Sequence, residues 1–230
     1  MAEHLNDEEQ LEALKRWWKQ NGMPIVGAVV LVAGGWFGWH FWQDRQQADA
    51  AEAALLYGNM LEQLAAYENG DADKASLASG HAESLKALHG DSQYGRYAAL
   101  VLAKLAVDDG DLDGAAGELQ WVMDGADDEG MKALAALRLA RVEVARGNDG
   151  AALTLLAGDA PASMIALRAA LEGDIHTRLG DSGAARAAYQ RALDNLGRAD
   201  AAARPLLELK LGQVTDPGTT DTTGASEEDA

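Results

Sequence analysis

The sequence predicts an all-α protein in which one N-terminal transmembrane helix precedes a solenoid of helical hairpins. Three observations carry that reading. From Gln20 to Gln43 there is no Lys, Arg, Asp or Glu. The remainder is rich in Ala and Leu, with few stretches in which β-branched residues alternate. Gly-Asp or Gly-Asn pairs recur through it at near-regular intervals. Composition excludes several classes of function. The 230 residues include 19 Lys+Arg against 37 Asp+Glu, a net charge of −18. That sign opposes binding to nucleic acid or to an anionic membrane surface. Cysteine is absent, which removes disulfides, thiol catalysis and Cys-based zinc sites.

The N-terminal helix is the first element. Its apolar centre, Pro24 to Trp42, is 19 residues long. At the helical rise this spans about 28 Å, close to the hydrocarbon thickness of a bilayer. Pro24 is expected in the first helical turn, where its missing N–H has no cost. Trp17 and Trp18 flank one end and Trp36, Trp39 and Trp42 crowd the other, as in two interfacial belts. Lys15, Arg16 and Lys19 precede the span, whereas only Arg45 follows it closely. The positive-inside rule therefore puts the N-terminus in the cytoplasm and residues 44–230 on the far side. Ala48-Asp49-Ala50 has the small-x-small form of a signal-peptide cleavage site. The long acidic leader, the near-full spanning length and the bulky residues at its end favour a retained anchor. Gly34 and Gly38 form a GxxxG, a candidate contact with another membrane helix. A lone GxxxG is also ordinary composition for such helices.

The hairpins follow. Residues 44–68 read as a helix that continues from the span. Gly70-Asp71, Gly110-Asp111, Gly147-Asn148 and Gly180-Asp181 are 40, 37 and 33 residues apart. Each pair lies between two apolar-periodic runs, so Gly can end one helix and the polar residue can cap the next. A helix–turn–helix unit with a period near 34 indicates tetratricopeptide repeats. The clearest unit starts at Ala166, with Gly173 on its first helix and Ala185, Tyr189 and Ala192 on its second. Small residues let two helices touch, and the aromatic fills the gap beside them. Units from Arg96 and Ala133 keep the pattern, and Leu56 to His89 is a degenerate first unit. Pro205 opens a last helix through Leu211, ended by Gly212, that covers the final repeat. The first ten residues are expected to be loose. After Val214 the chain is polar, acidic and aperiodic, and is expected to be disordered.

No constellation for catalysis stands out. His81 and His89 lack a further ligand set, and His176 falls at a packing position. Asp108 to Asp113 resembles a calcium loop, but Leu119 stands where the twelfth-position Glu is required. A capped turn between helices explains it better. Neither a metal nor another cofactor is expected, and the chain is read as non-enzymatic. Stacked hairpins instead offer a protein-binding groove, mainly from the first helix of each hairpin. Its candidate residues are Tyr97, Leu100 and Lys104, then Leu134, Leu137 and Arg141, then Leu167, Asp174 and Arg178. Lys104, Arg141 and Arg178 recur at 37-residue steps. Such a basic ladder could hold a carboxylate or an acidic segment, although ordinary solvated cations explain it as simply.

The layout resembles the YfgM-type ancillary subunits of the SecYEG translocon. The resemblance lies in Glu12-Ala-Leu-Lys-Arg-Trp-Trp-Lys-Gln-Asn-Gly22 before a Gly-rich span, and in Leu137-Arg-Leu-Ala-Arg-Val-Glu-Val144. Gly180-Asp-Ser-Gly-Ala-Ala-Arg186 and Leu209-Lys-Leu-Gly212 complete it. It covers about residues 8–213, and the acidic tail goes beyond the family pattern. It implies a single-pass bacterial inner-membrane protein. The expected parts are a cytoplasmic segment (1–22), a transmembrane helix (23–42), a periplasmic repeat domain (43–213) and the tail (214–230). It further implies partners: the SecYEG translocon, a periplasmic chaperone of the PpiD type, secreted client proteins and a cytoplasmic response regulator. The function expected is a membrane-anchored adaptor that assists newly secreted proteins. The alternative is a scaffold or stress-signalling regulator in envelope or cell-division assembly.

Overall fold

The computed structural model describes residues 2–197 and 200–214. Every regular element among them is helical: α1 (Ala2–Glu68), α2 (Lys74–His89), α3 (Gln93–Asp108), α4 (Leu112–Gly125), α5 (Glu129–Ala145), α6 (Asp149–Leu156), α7 (Ile165–Arg178), α8 (Ser182–Asp194) and α9 (Arg204–Gln213). Short 3-10 turns at Ala162–Met164 and Ala201–Ala203 lead into α7 and α9. The all-α expectation holds. The acidic tail after Val214 lies outside the described residues. The chain divides into two compact units, Met1–Ala54 and Leu55–Ala230, a division that falls inside the stretch expected as the repeat domain.

The first unit belongs to α1. Residues 2–10, expected to be loose, are helical. Pro24 lies inside the helix and not in its first turn. Because proline lacks an N–H and its ring crowds the carbonyl four residues back, it bends the helix. Leu14–Pro24 and Val26–Glu68 meet at 42°. No single helix among the described residues is long and apolar enough to cross a membrane, although these two segments together have the length and composition. Large apolar side chains of this unit, among them Trp17, Leu31, Trp36 and Trp42, are exposed.

The second unit is the stack. Neighbouring helices pack in chain order from α2 to α6 and again from α7 to α9. Four reversals are built alike. Gly70, Gly110, Gly147 and Gly180 have φ between 77° and 104°. At Gly110, the glycine N–H donates to Val107 O and the Asp111 N–H to Ala106 O, at 3.0 and 2.8 Å. This closes the helix end with a left-handed residue that a Cβ would strain. Asp111 then caps α4 by accepting from Gly114 N at 2.9 Å, and Asp181 caps α8 from Ala184 N at 3.0 Å. Asn148 does not cap α6 with its side chain, which donates instead to Glu143 Oε2 at 2.7 Å. The Asp-rich run 108–113 is thus the capped turn between α3 and α4. Pro205 lies in the first turn of α9, and the helix runs past Gly212 to Gln213.

Small residues hold the helices together. Ala98, Ala99, Ala115, Ala135, Ala140, Ala152, Ala185 and Ala192 are all fully buried. The tightest contact is between α7 and α8. A Cβ on Gly173 would lie 2.5 Å from the Tyr189 ring, and Tyr189 is only 2% exposed. Its hydroxyl donates to Asp174 Oδ1 at 2.7 Å, and Lys210 of α9 binds the same carboxylate at 2.6 Å. Leu207 and Val214 complete the apolar cover over Ala169, Ala185 and Tyr189.

Gly173→Ala should lower stability by about 1–2 kcal/mol in urea unfolding of the full chain followed by circular dichroism, since the added methyl overpacks the ring. Combining it with Tyr189→Leu should remove most of that loss, and an unchanged loss would refute the contact. Burial, with Asp174 beside it, pushes the Tyr189 phenol from 10.0 up to about 12. The unfolded chain therefore releases this proton first, and the associated stability is complete below about pH 10 and declines toward about pH 12. Tyr189→Phe should show a shallower alkaline loss across that window.

Candidate protein-binding groove

A cavity of about 560 Å³ opens between the C-terminal part of α1 and helices α3, α4 and α5. Its floor follows from the helical period. Leu100 and Val101 of α3 and Leu134 and Val142 of α5 reach it, joined by Leu61 and Leu64 of α1. Tyr57 forms one edge, with its ring 5.2 Å from that of Tyr94 and 5.8 Å from that of Tyr97. Burial first, and the neighbouring phenols after it, raise the Tyr57 pKa. This side chain stays a neutral, partly apolar surface.

The polar edge is cationic. Lys104, Arg138 and Arg141 line the cavity with a single carboxylate, that of Asp108. Lys104 is already engaged: its ammonium lies 2.8 Å from Asp108 Oδ2 and 3.5 Å from Glu68 Oε1. The hydrogen bond to Asp108 raises its pKa. Arg138 differs. Desolvation and the charge of Arg141 lower its pKa, yet a guanidinium remains protonated at any ordinary pH.

Of the groove residues expected from sequence, Tyr97, Leu100, Lys104, Leu134 and Arg141 are brought together here. Leu137 is not among them. It is 3% exposed and packs with Ala140 and with Ala152, Leu156 and Ile175 of α6 and α7. Around α5, Leu137 stands about 100° from Arg138 and about 60° from Leu134, at the edge of the arc that lines the cavity, and its side chain is taken up by the neighbouring helices instead. Arg178 also lies elsewhere. Its guanidinium binds the Asp149 carboxylate and donates to Val144 O at 2.9 Å, which ties α7 to α5 and α6. Asp174 is taken by Lys210 and Tyr189, and Leu167 is exposed on α7 away from the cavity lining. The 37-residue basic ladder is therefore not one surface. The contribution of α1 and of Arg138 was missed. Arg138 could have been found, since it is three residues from Arg141 and so on the same helical face.

Gly34 and Gly38 lie on α1 with open space around them: a Cβ at either would meet nothing within 4 Å. His176 is half-buried on α7, with Nδ1 unpartnered among the described residues. No group of three or more His, Asp or Glu side chains among the described residues is arranged to hold a metal.

Hairpins stacked beside an apolar-floored, cation-edged groove define a helical-repeat protein of the binding class. The family model for a tetratricopeptide repeat-like domain matches residues 15–216. The chain is 34% identical to the ancillary SecYEG translocon subunit of Escherichia coli strain K12, over 80% of this chain and 86% of that one. It is 32% identical to the subunit of the same name from Haemophilus influenzae, over 84% and 91%. The corresponding Neisseria gonorrhoeae protein is 29% identical over 93% of this chain and its whole length. No solved structure matches. The chain belongs to the family of ancillary SecYEG translocon subunits, built on a tetratricopeptide repeat-like domain.

Leu137→Ala should cost about 2–4 kcal/mol in urea unfolding, as a buried leucine in a packed core. Leu134→Ala, at the cavity surface, should cost about 1 kcal/mol or less. Equal losses would show that the two faces of α5 are wrongly assigned.

Proposed function

We propose that this chain is a membrane-anchored, non-catalytic adaptor of the SecYEG translocon. The observation that carries the reading is the family membership, joined to a repeat domain with an open groove. In this reading, residues 23–42 span the inner membrane, residues 1–22 are cytoplasmic and residues 43–213 are periplasmic. The cations Lys15, Arg16 and Lys19 on one side, against Arg45 on the other, support that orientation. Exposed Trp36, Phe37 and Trp39, with the uncovered backbone at Gly34 and Gly38, suit contact with lipid and with a neighbouring membrane helix. The repeat domain then holds a chaperone of the PpiD type close to the translocon and assists newly secreted chains. The groove residues Tyr97, Leu100, Lys104, Leu134 and Arg141 make that contact. Binding by such a surface is a matter of complementarity and needs no reacting group. A cytoplasmic response regulator would be met by residues 1–19, on the other side of the membrane.

Site-specific photocrosslinking in intact membranes tests this, with probes at Trp36 and Gly38 in α1 and at Leu100 and Leu134 in the groove. The expected adducts join the α1 probes to translocon subunits and the groove probes to a periplasmic chaperone or a secreted client. Adducts only to envelope-assembly proteins, or only to a second copy of the chain, would overturn the adaptor reading.

A further inference from the structure

Cations in the repeat domain are scarce and nearly all occupied. Residues 55–230 hold 15 Lys+Arg against 29 Asp+Glu. Lys86 pairs with Glu118, Arg146 with Asp113 and Glu143, Arg191 with Glu172 and Lys210 with Asp174. Arg96, Arg168 and Arg186 donate to backbone carbonyls instead. Arg138 and Arg141 do neither: among the described residues they have no ion pair and no hydrogen bond from their side chains. Lys74 at the start of α2 shares that state, but it stands apart from the cavity lining.

The two arginines are both exposed and lie one turn apart on α5, so their side chains are neighbours on one face. Each opposes the other's charge, which adds to the larger effect of desolvation in making Arg138 hold its proton less firmly than usual. Two like charges at this spacing are unfavourable on an empty helix face and favourable against a carboxylate. Beside them, Leu134 and Leu61 leave apolar surface open to solvent in the cavity, over the buried Leu100. Lys104, on the facing helix, is neutralised by Asp108 and Glu68 and adds little demand of its own.

We propose that this groove takes an amphipathic segment of a partner protein, whose apolar side chains enter between α1, α3 and α5 and whose carboxylates pair with Arg138 and Arg141. The proposal rests on the adaptor reading of the groove and adds the chemistry of its occupant. Charge complementarity argues for an acidic partner. Any basic segment would be drawn to the rest of this acidic domain and repelled here. The guanidinium fork gives each carboxylate two parallel hydrogen bonds, which sets register as well as attraction.

The test is selection from a displayed library of random peptides on the full chain in lipid nanodiscs, alongside the double variant Arg138→Glu, Arg141→Glu. Both arginines are exposed, and an unchanged unfolding midpoint would certify that the variant folds. The wild-type chain should enrich peptides that combine Leu, Ile or Phe with Asp or Glu. Those peptides should bind the double variant about tenfold more weakly or worse, and the variant should enrich Lys- or Arg-bearing peptides instead. Apolar peptides of any charge enriched equally by both proteins would overturn the acidic preference and leave groove docking intact. Enrichment that survives Leu134→Asp would overturn the groove itself. Acidic peptides bound only after deletion of residues 215–230 would make the chain's own acidic tail the occupant, in place of a partner. None of these outcomes depends on translocon association, which the crosslinks at Trp36 and Gly38 read separately.

Discussion

Helices in the repeat domain meet across alanine. Where leucine would hold two backbones apart, a methyl lets them close, and the distance between axes is set by the side chains at the contact. Ala99, Ala115 and Ala135 make this possible through α3, α4 and α5, and Gly173 takes it furthest under the Tyr189 ring. Close approach leaves few voids, so the larger side chains concentrate in a few places: Leu119 and Val122 in one layer, Leu156 and Ile175 in another. The groove exists because α1, α3 and α5 do not close in this way on their shared side. There the residues are Leu, Val and Tyr, and surface remains open.

The acidic excess is handled by local pairing. Glu143 is 8% exposed, and both of its oxygens are used, one by Arg146 and one by Asn148. Arg146 also reaches Asp113 at 2.6 Å, so one cation joins α5 to α4. Trp121 lies under two cations, with Lys86 4.8 Å and Arg96 4.6 Å from its ring. These contacts use the positive charge at helix junctions, where a chain with so much negative charge would otherwise repel itself. Surface ion pairs of this kind each contribute little, but they decide which faces stay uncharged.

Much of the fold was legible because glycine and alanine have local reasons to stand where they do. The four Gly-polar pairs mark reversals whose geometry needs a left-handed residue, and the structure has one at each. Gly173 and Tyr189 were readable as a small residue facing an aromatic. The site was less legible. Leu134 and Leu137 are alike in type, and which of them faces a groove depends on the packing of α6 and α7 behind α5. The wall supplied by Tyr57, Leu61 and Leu64 comes from a helix continuous with the apolar span, so its sequence gives no separate signal. Arg178 matched the 37-residue step, but a repeat fixes backbone position and not the partner a long side chain finds. The position of Pro24 in its helix was misread for a related reason. A proline that would suit a first turn instead sits within a helix that begins upstream.

The cover provided by α9 limits the architecture itself. Each hairpin offers its neighbour an apolar face, and nothing in such a design dictates how many units follow one another. In this chain Leu207, Leu211 and Val214 occupy the face that a further hairpin would need, and Lys210 locks them down through Asp174. A new unit could join there only by prying α9 away. One short helix therefore acts as a stopper on the face of α7 and α8 that the next hairpin of such an array would use.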